Sequence, residues 1–141
     1  MMTLRLTKQF DFQMAHALSG YDGKCRNLHG HNYRLLVTIS GRPIADTKDA
    51  KRGMVMDFGD LRQVVTRCVV EPFDHALVVP KGSAFAGITE TKLITTDFQP
   101  TCENLLIHFA GLLEGQLPEG VSLHSLRLYE TEGSYAELFL D

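Results

Sequence analysis

Hydrophobic and polar positions alternate along the early part of the chain. Phe10, Phe12, Met14 and His16 fall on one face if this segment is a strand, because side chains of extended backbone alternate with period two. His16 ends that apolar stripe. From His31 the run HNYRLLVTIS is rich in aromatic and β-branched residues and stops at Gly41-Arg42-Pro43, which predicts a second strand closed by breakers. The stretch between the two strands carries Gly20, Gly23 and Cys25 and reads as a loop. Residues 41–53, GRPIADTKDAKRG, are polar and turn-rich, a surface excursion before the chain re-enters order at MVMDF.

The period then lengthens. Leu61, Val64, Val65 and Cys68 recur at i, i+3, i+4 and i+7 behind Asp57, the spacing of a buried helical stripe with an N-cap, and Pro72 is expected beyond the helix end. A second helix is predicted from about Cys102, with Thr101 as N-cap, Leu105, Phe109, Leu112 and Leu113 on one face, and Gly115 and Pro118 closing it. Alternation returns at His124, Leu126, Leu128 and Glu130. The chain turns through Glu132-Gly133-Ser134 and comes back with Ala136, Leu138 and Leu140 in phase, a hairpin. The order β-β-α-α-β-β has no βαβ rhythm, which predicts an α+β domain with an antiparallel sheet and both helices on one face.

Composition narrows the picture. With 141 residues and 44% hydrophobic content, residues 1–141 fit a single domain able to bury a core without disulfides. A net charge of -3 and the lack of any Lys/Arg-rich run argue against a nucleic-acid partner. No signal-peptide pattern is visible and no stretch approaches the ~20 apolar residues that span a bilayer, so the expectation is a soluble, cytoplasmic protein without a membrane partner. Three cysteines at irregular spacing do not resemble a secreted disulfide framework; Cys68 and Cys102, within helix patterns, read as small buried hydrophobes.

The chemistry concentrates in CRNLHGHNY, residues 25–33. His29 and His31 are two apart, so in extended backbone their imidazoles share a face and can close on one ion, with His16 from the neighbouring strand as a third nitrogen. Three neutral imidazoles suit Zn²⁺ and leave a fourth position open, the arrangement of a catalytic metal. A lone histidine is ordinarily a surface or capped loop residue, and His108 and His124 keep that reading. Cys25 has two readings: a fourth ligand that closes the site, or a thiolate beside the metal, its pKa lowered by the ion and by Lys24 and Arg26. Asp74-His75 follows the first helix; a histidine held by a carboxylate near a thiol is a usable proton relay, although neighbouring side chains often face apart. Glu130, on the face of Leu126 and Leu128, either emerges into water at the sheet's end or bonds something cationic or amide-like in a pocket.

Together these residues resemble the 6-pyruvoyl-tetrahydropterin synthase and 6-carboxytetrahydropterin synthase family. The matching pieces run nearly the whole chain in the family's order: FQMAH at 12–16, CRNLHGH at 25–31, MVMDF at 54–58, DH at 74–75, PTCEN at 100–104 and YET at 129–131. The resemblance implies that His16, His29 and His31 are zinc ligands and that Cys25 is the catalytic thiol, with Asp74 and His75 the other members of the proton-transfer set. It makes Glu130 the anchor of the pterin's aminopyrimidine edge, with Thr101 and Cys102 in the segment lining that pocket. It also implies the tunnelling fold, a four-stranded antiparallel sheet with two helices, assembled into homo-oligomers, hexamers by family likeness, whose sites lie between subunits.

The substrate implied by the resemblance is 7,8-dihydroneopterin triphosphate. Lys24 and Arg26 are candidates for holding its triphosphate, on charge alone. Three residues separate Cys25 from His29, as in the bacterial 6-carboxytetrahydropterin synthases of queuosine and deazapurine biosynthesis, which release acetaldehyde and triphosphate. HNY at 31–33 resembles the pyruvoyl branch, which loses triphosphate only. Segments 41–53 and 81–99 are longer than in compact members. A different class of function, a non-catalytic module with zinc closed by Cys25, His16, His29 and His31, predicts metal loss when Cys25 becomes Ala. A zinc hydrolase ranks last, since no H-E-x-x-H or comparable helix motif is present.

Overall fold

The structure is a computed structural model and describes residues 2–20, 23 and 27–140. Two long strands dominate it, β1 (Leu4–His16) and β2 (His29–Gly41), antiparallel and in unbroken register from Leu4 opposite Gly41 to His16 opposite His29. The predicted alternation sets their inner faces: Phe10, Phe12 and Met14 from β1 and Tyr33, Leu35, Val37 and Ile39 from β2 are buried together. A one-residue slip would turn all of them toward solvent, so burial of this face fixes the register.

The sheet has six strands, not four. β3 (Ala76–Pro80), β4 (Leu93–Thr96), β5 (Ser122–Thr131) and β6 (Ser134–Phe139) complete the order β4-β3-β1-β2-β5-β6. The expected antiparallel four are present as β1, β2, β5 and β6, and the last two form the predicted hairpin. The correction lies on the other side of β1, where β3 pairs with it in parallel and β4 pairs with β3 in parallel. The reason is physical: ALVVP is buried on both faces and shows a continuous apolar run instead of alternation. Val78 enters the main core, whereas Leu77 and Val79 join a small cluster with Ala17, covered by Phe85 and Ala86 from the segment before β4.

Both helices cover the inner face. α1 begins at Phe58, capped by Asp57, whose carboxylate accepts from the Gly59 amide at 2.7 Å. It is α-helical over Phe58–Val65, widens to a π-helical stretch over Thr66–Val70 and finishes at Glu71–Phe73. Pro72 therefore lies inside the helix end rather than beyond it. A proline has no amide to donate and crowds the carbonyl four residues back; the wide turn, in which the Glu71 amide reaches the Thr66 carbonyl, spaces those carbonyls apart. α2 (Cys102–Leu113) starts at the predicted cap, with the Thr101 hydroxyl accepting from the Asn104 amide at 3.2 Å, and Gly115 past its end takes φ 80°. Leu61, Val65, Val69, Leu105, Phe109 and Leu113 fill the space between helices and sheet. Among the described residues no helix is long and apolar enough to cross a membrane.

Candidate active site

The loop end of the β1–β2 ladder gathers the histidines. His16 and His29 are direct cross-strand partners, and His31 faces Met14 one pair further in, so all three rings project from the same face of the two strands. Their ring centroids lie 4.5 Å (His16 to His29), 4.8 Å (His29 to His31) and 5.2 Å (His16 to His31) apart. One nitrogen from each can be chosen so that the three lie within 4.8 Å of one another. Among the described residues this is the one group of His, Cys, Asp or Glu side chains able to hold a metal ion.

Backbone carbonyls decide which nitrogens face inward. His16 Nδ1 lies 2.8 Å from the Pro100 carbonyl and His29 Nδ1 lies 2.7 Å from the Asn27 carbonyl. A carbonyl only accepts, so each Nδ1 carries the proton and each neutral ring presents a bare Nε2. Those two Nε2 atoms are 2.9 Å apart. Two lone pairs at that distance are compatible only with a cation between them, and burial works against protonating His16, which is 1% exposed. His31 is also pushed toward its neutral form, first by burial and then by His29, with Glu130 opposing. Its Nε2 is buried without a hydrogen bond among the described residues, although it sits 3.2 Å from Glu130 Oε1. Three convergent imidazoles with an orphaned nitrogen fit a divalent metal ion.

Glu130 comes to the site through a break in the β5–β6 hairpin. It follows Leu128 on the inward face, and the β5–β6 register shifts between Tyr129 and Thr131 at that point. Its carboxylate is about one-quarter exposed, at 23%, so it emerges at the sheet's end into a depression rather than open water. That depression, about 1120 Å³, is lined by His31, Glu130, Asp11, Gln13, Asp74 and His75 among others. Thr101 and Cys102 are not on its lining. The Thr101 hydroxyl is committed to the α2 cap, and the Cys102 thiol donates to the Leu128 carbonyl at 3.2 Å. Burial, and secondarily the Glu130 charge, pushes that thiol up to about 11, which keeps it protonated and inert.

Asp74 and His75 do face each other. Asp74 Oδ1 lies 2.9 Å from His75 Nδ1 and also accepts from the Gln13 amide at 3.0 Å. The pair closes because His75 adopts φ 61°, the one positive φ of a non-glycine residue among those described. A left-handed backbone at such a residue costs about 1–3 kcal/mol and persists only where the surroundings over-determine it. His75 is 72% exposed and shows no hydrogen bond or ring contact with the three histidines; of these, His31 lines the same depression as His75. His108 packs against Phe73 and Phe98, and His124 lies beside Ser125 and Phe139, so both keep structural roles. Cys25, Lys24 and Arg26 lie outside the described residues.

Two features had no signal in the residue pattern. The carbonyls of Pro100 and Asn27 set the tautomers, and a backbone carbonyl leaves no mark on a sequence. Gln99 clamps the loop after β1, its carboxamide accepting from the Ser19 amide at 2.9 Å and donating to the Ser19 carbonyl at 2.7 Å. Its place beside PTCEN was the only available hint.

A sheet backed by two helices, with three imidazoles and a carboxylate converging at the end of its central strand pair, defines an α+β protein with a histidine group able to hold a metal ion. The sequence pattern of the 6-pyruvoyl tetrahydropterin synthase family matches residues 5–140, and the chain belongs to that family. It is 37% identical over 140 residues to the 6-carboxy-5,6,7,8-tetrahydropterin synthase of Haemophilus influenzae, covering 94% of this chain and 96% of that one. The human 6-pyruvoyl tetrahydrobiopterin synthase is 32% identical over 114 residues, covering 79% of this chain and 68% of the relative. Among solved structures, a protein from Wolinella succinogenes superposes with TM-score 0.81 at 21% identity over the full length of both chains. The Caenorhabditis elegans 6-pyruvoyl tetrahydropterin synthase gives TM-score 0.72 at 23% identity, covering 100% of this chain and 98% of the other. The fold is the tunnelling fold, with two parallel strands added at the β1 edge, and the chain is a lyase-type enzyme of the tetrahydropterin synthase kind.

Proposed function

We propose that this chain is a zinc-dependent lyase that converts 7,8-dihydroneopterin triphosphate to 6-carboxy-5,6,7,8-tetrahydropterin, releasing acetaldehyde and triphosphate. The observation that carries the reading is the placement of Glu130 Oε1 3.2 Å from His31 Nε2, an acceptor for a pterin's amino edge directly beside a metal triad. The carboxy branch is supported by the Haemophilus relative, which aligns along nearly the whole chain, whereas the human pyruvoyl relative aligns along less of it.

His16, His29 and His31 hold the ion. Bound zinc supplies Lewis acidity toward the side-chain hydroxyls and a template for their orientation. Glu130 accepts from the aminopyrimidine N–H groups and fixes the ring. Cys25, as thiolate, moves a side-chain proton, and His75, held in one tautomer by the Asp74 carboxylate, exchanges protons with the substrate at its free Nε2. Lys24 and Arg26 hold the triphosphate, while Thr101 and Cys102 support the Glu130 pocket from behind. The protein is cytoplasmic, serves queuosine or deazapurine biosynthesis and works as a homo-oligomer with sites between subunits. Because no hydrogen bond or ring contact joins His75 to the triad within one chain, a second copy offers a route for bringing the two groups together.

The test is to incubate zinc-loaded protein with dihydroneopterin triphosphate and identify products by mass. Acetaldehyde with the 6-carboxy product is expected. The pyruvoyl compound would move the chain to the other branch, and neither product from fully loaded protein would reject the lyase reading.

A further inference from the structure

The strained Asp74-His75 turn is held by a residue that the reaction itself does not require. Backbone bonds account for part of the restraint: the His75 amide donates to the Gln13 carbonyl at 2.5 Å, and the Asp74 amide donates to the Val70 carbonyl at 2.7 Å. The Asp74 carboxylate adds its bond from the Gln13 amide at 3.0 Å, and one further side chain reaches in from outside the turn. The Lys92 ammonium donates to the carbonyl of Glu71 at 2.5 Å and to that of Asp74 at 2.9 Å. The Glu71 carbonyl belongs to the last turn of α1, where carbonyls lack helical partners and the negative end of the helix dipole attracts a cation. The Asp74 carbonyl belongs to the peptide that enters His75, so its direction is coupled to the left-handed φ of that residue.

Lys92 is itself anchored. Its carbonyl accepts from the Leu77 amide at 2.8 Å, where the parallel β3–β4 ladder begins. The residue thus stands at the entry to β4, one of the two strands added beyond the antiparallel four, and reaches back across the turn.

We propose that Lys92 is a positioning residue for proton transfer by His75: its ammonium locks the peptide between Asp74 and His75, so that the imidazole keeps its bond to the Asp74 carboxylate. This rests on the role given to His75 above. It assigns a function to β4, which otherwise only extends the sheet. The role needs a cation with several donors rather than a particular shape, so arginine substitutes for it and a neutral isostere does not.

The test compares Lys92→Met, Lys92→Gln and Lys92→Arg as full-length, zinc-loaded proteins. For Lys92→Met, kcat falls about tenfold or more, a fraction of what a positioned acid or base contributes, while KM and zinc content hold. Lys92→Gln, which can still donate to one carbonyl, loses less, and Lys92→Arg restores most of the rate. In ¹⁵N-labelled protein the His75 imidazole resonances lose the signature of a bonded Nδ1–H in Lys92→Met and keep it in Lys92→Arg. Unchanged kcat and unchanged His75 resonances in Lys92→Met would overturn the proposal. So would a loss of activity that Arg does not rescue and that leaves the His75 resonances alone. The NMR arm does not depend on turnover, so a wild-type protein that makes no pterin product rejects the lyase reading while the resonances still decide the role of Lys92.

Discussion

Removing a metal ion held by His16, His29 and His31 should cost this protein a measurable part of its stability, and the structure sets the scale. Stripped of an ion, the bare Nε2 atoms of His16 and His29, 2.9 Å apart in this structure, lose the cation that reconciles them, and His31 Nε2 is buried with no hydrogen bond among the described residues. A buried acceptor left unsatisfied costs about 1–3 kcal/mol, so three such nitrogens cost roughly 3 kcal/mol at the lower bound. Binding linkage gives a similar figure, about 2.7 kcal/mol for free metal at a hundredfold excess over Kd. Unfolding entropy near 60 °C is about 2.1 cal/mol/K per residue, hence about 0.3 kcal/mol/K for a chain of 141 residues. Dividing one by the other, chelation should lower Tm by about 10 °C.

The assay is thermal melting followed by circular dichroism at fixed protomer concentration, before and after chelation, with metal content measured on the same samples. His29→Ala removes one facing nitrogen and a ligand together, so its Tm should not respond to chelator. Re-addition of zinc should restore the wild-type Tm and leave the variant unmoved. The reasoning is refuted if a preparation holding one zinc per chain melts at the same temperature once the metal is stripped, or if His29→Ala retains zinc as the wild type does.

Three further outcomes follow from the same structure. Cys102, its thiol pushed up to about 11, should resist alkylation in the folded protein at mildly alkaline pH, as peptide mapping by mass spectrometry would record; rapid labelling would contradict its buried bond to the Leu128 carbonyl. His108 is held below its ordinary 6.5 by burial, so the unfolded chain binds a proton that the folded one resists. Stability should fall as pH drops below about 6.5 and level off below the folded-state pKa, and chemical melts of His108→Leu should show a weaker acid loss. Gly41→Ala would place a Cβ 2.9 Å from both the Gly120 carbonyl and Val55 Cγ1, and should destabilise by about 1–3 kcal/mol in denaturant titration, whereas an unchanged midpoint would mean that this crossing yields easily.

The parts of this fold that were legible from sequence are those whose residues answer to one periodicity. Phe10, Phe12, Met14 and His16 lie on one face of β1 because alternation leaves them no other place, and the same rule brings His29 and His31 to the facing strand. β3 escaped because ALVVP is buried on both sides and has no polar phase to betray it, and β4 lay inside the 81–99 segment as four residues without a stripe. Pro72 misled for another reason. A proline ordinarily ends a helix, but the π-helical stretch over Thr66–Val70 makes room for it, and nothing in the residue types announces that widening. Asp74 and His75 were legible as a candidate relay pair, but the geometry of their 2.9 Å contact was not, since it depends on a left-handed backbone that a sequence does not display.

This difference in legibility corresponds to a difference in robustness. The triad hangs on a ladder of thirteen-residue strands whose register every inward side chain enforces, so single substitutions along β1 or β2 should leave its geometry intact while the hairpin folds. The Asp74-His75 turn has no such redundancy. Its conformation is strained, and it depends on the Gln13 backbone, the Val70 carbonyl and the Lys92 ammonium. Exposed groups hold it in part, with His75 72% accessible, so the restraint contributed by Lys92 competes with water at every moment. Substitutions near this turn should therefore reduce activity well before they reduce Tm, the reverse of what substitutions under the triad should do. A scan of residues 70–78 and 90–96 that found loss of stability and loss of rate in fixed proportion would show that the turn is no softer than the ladder.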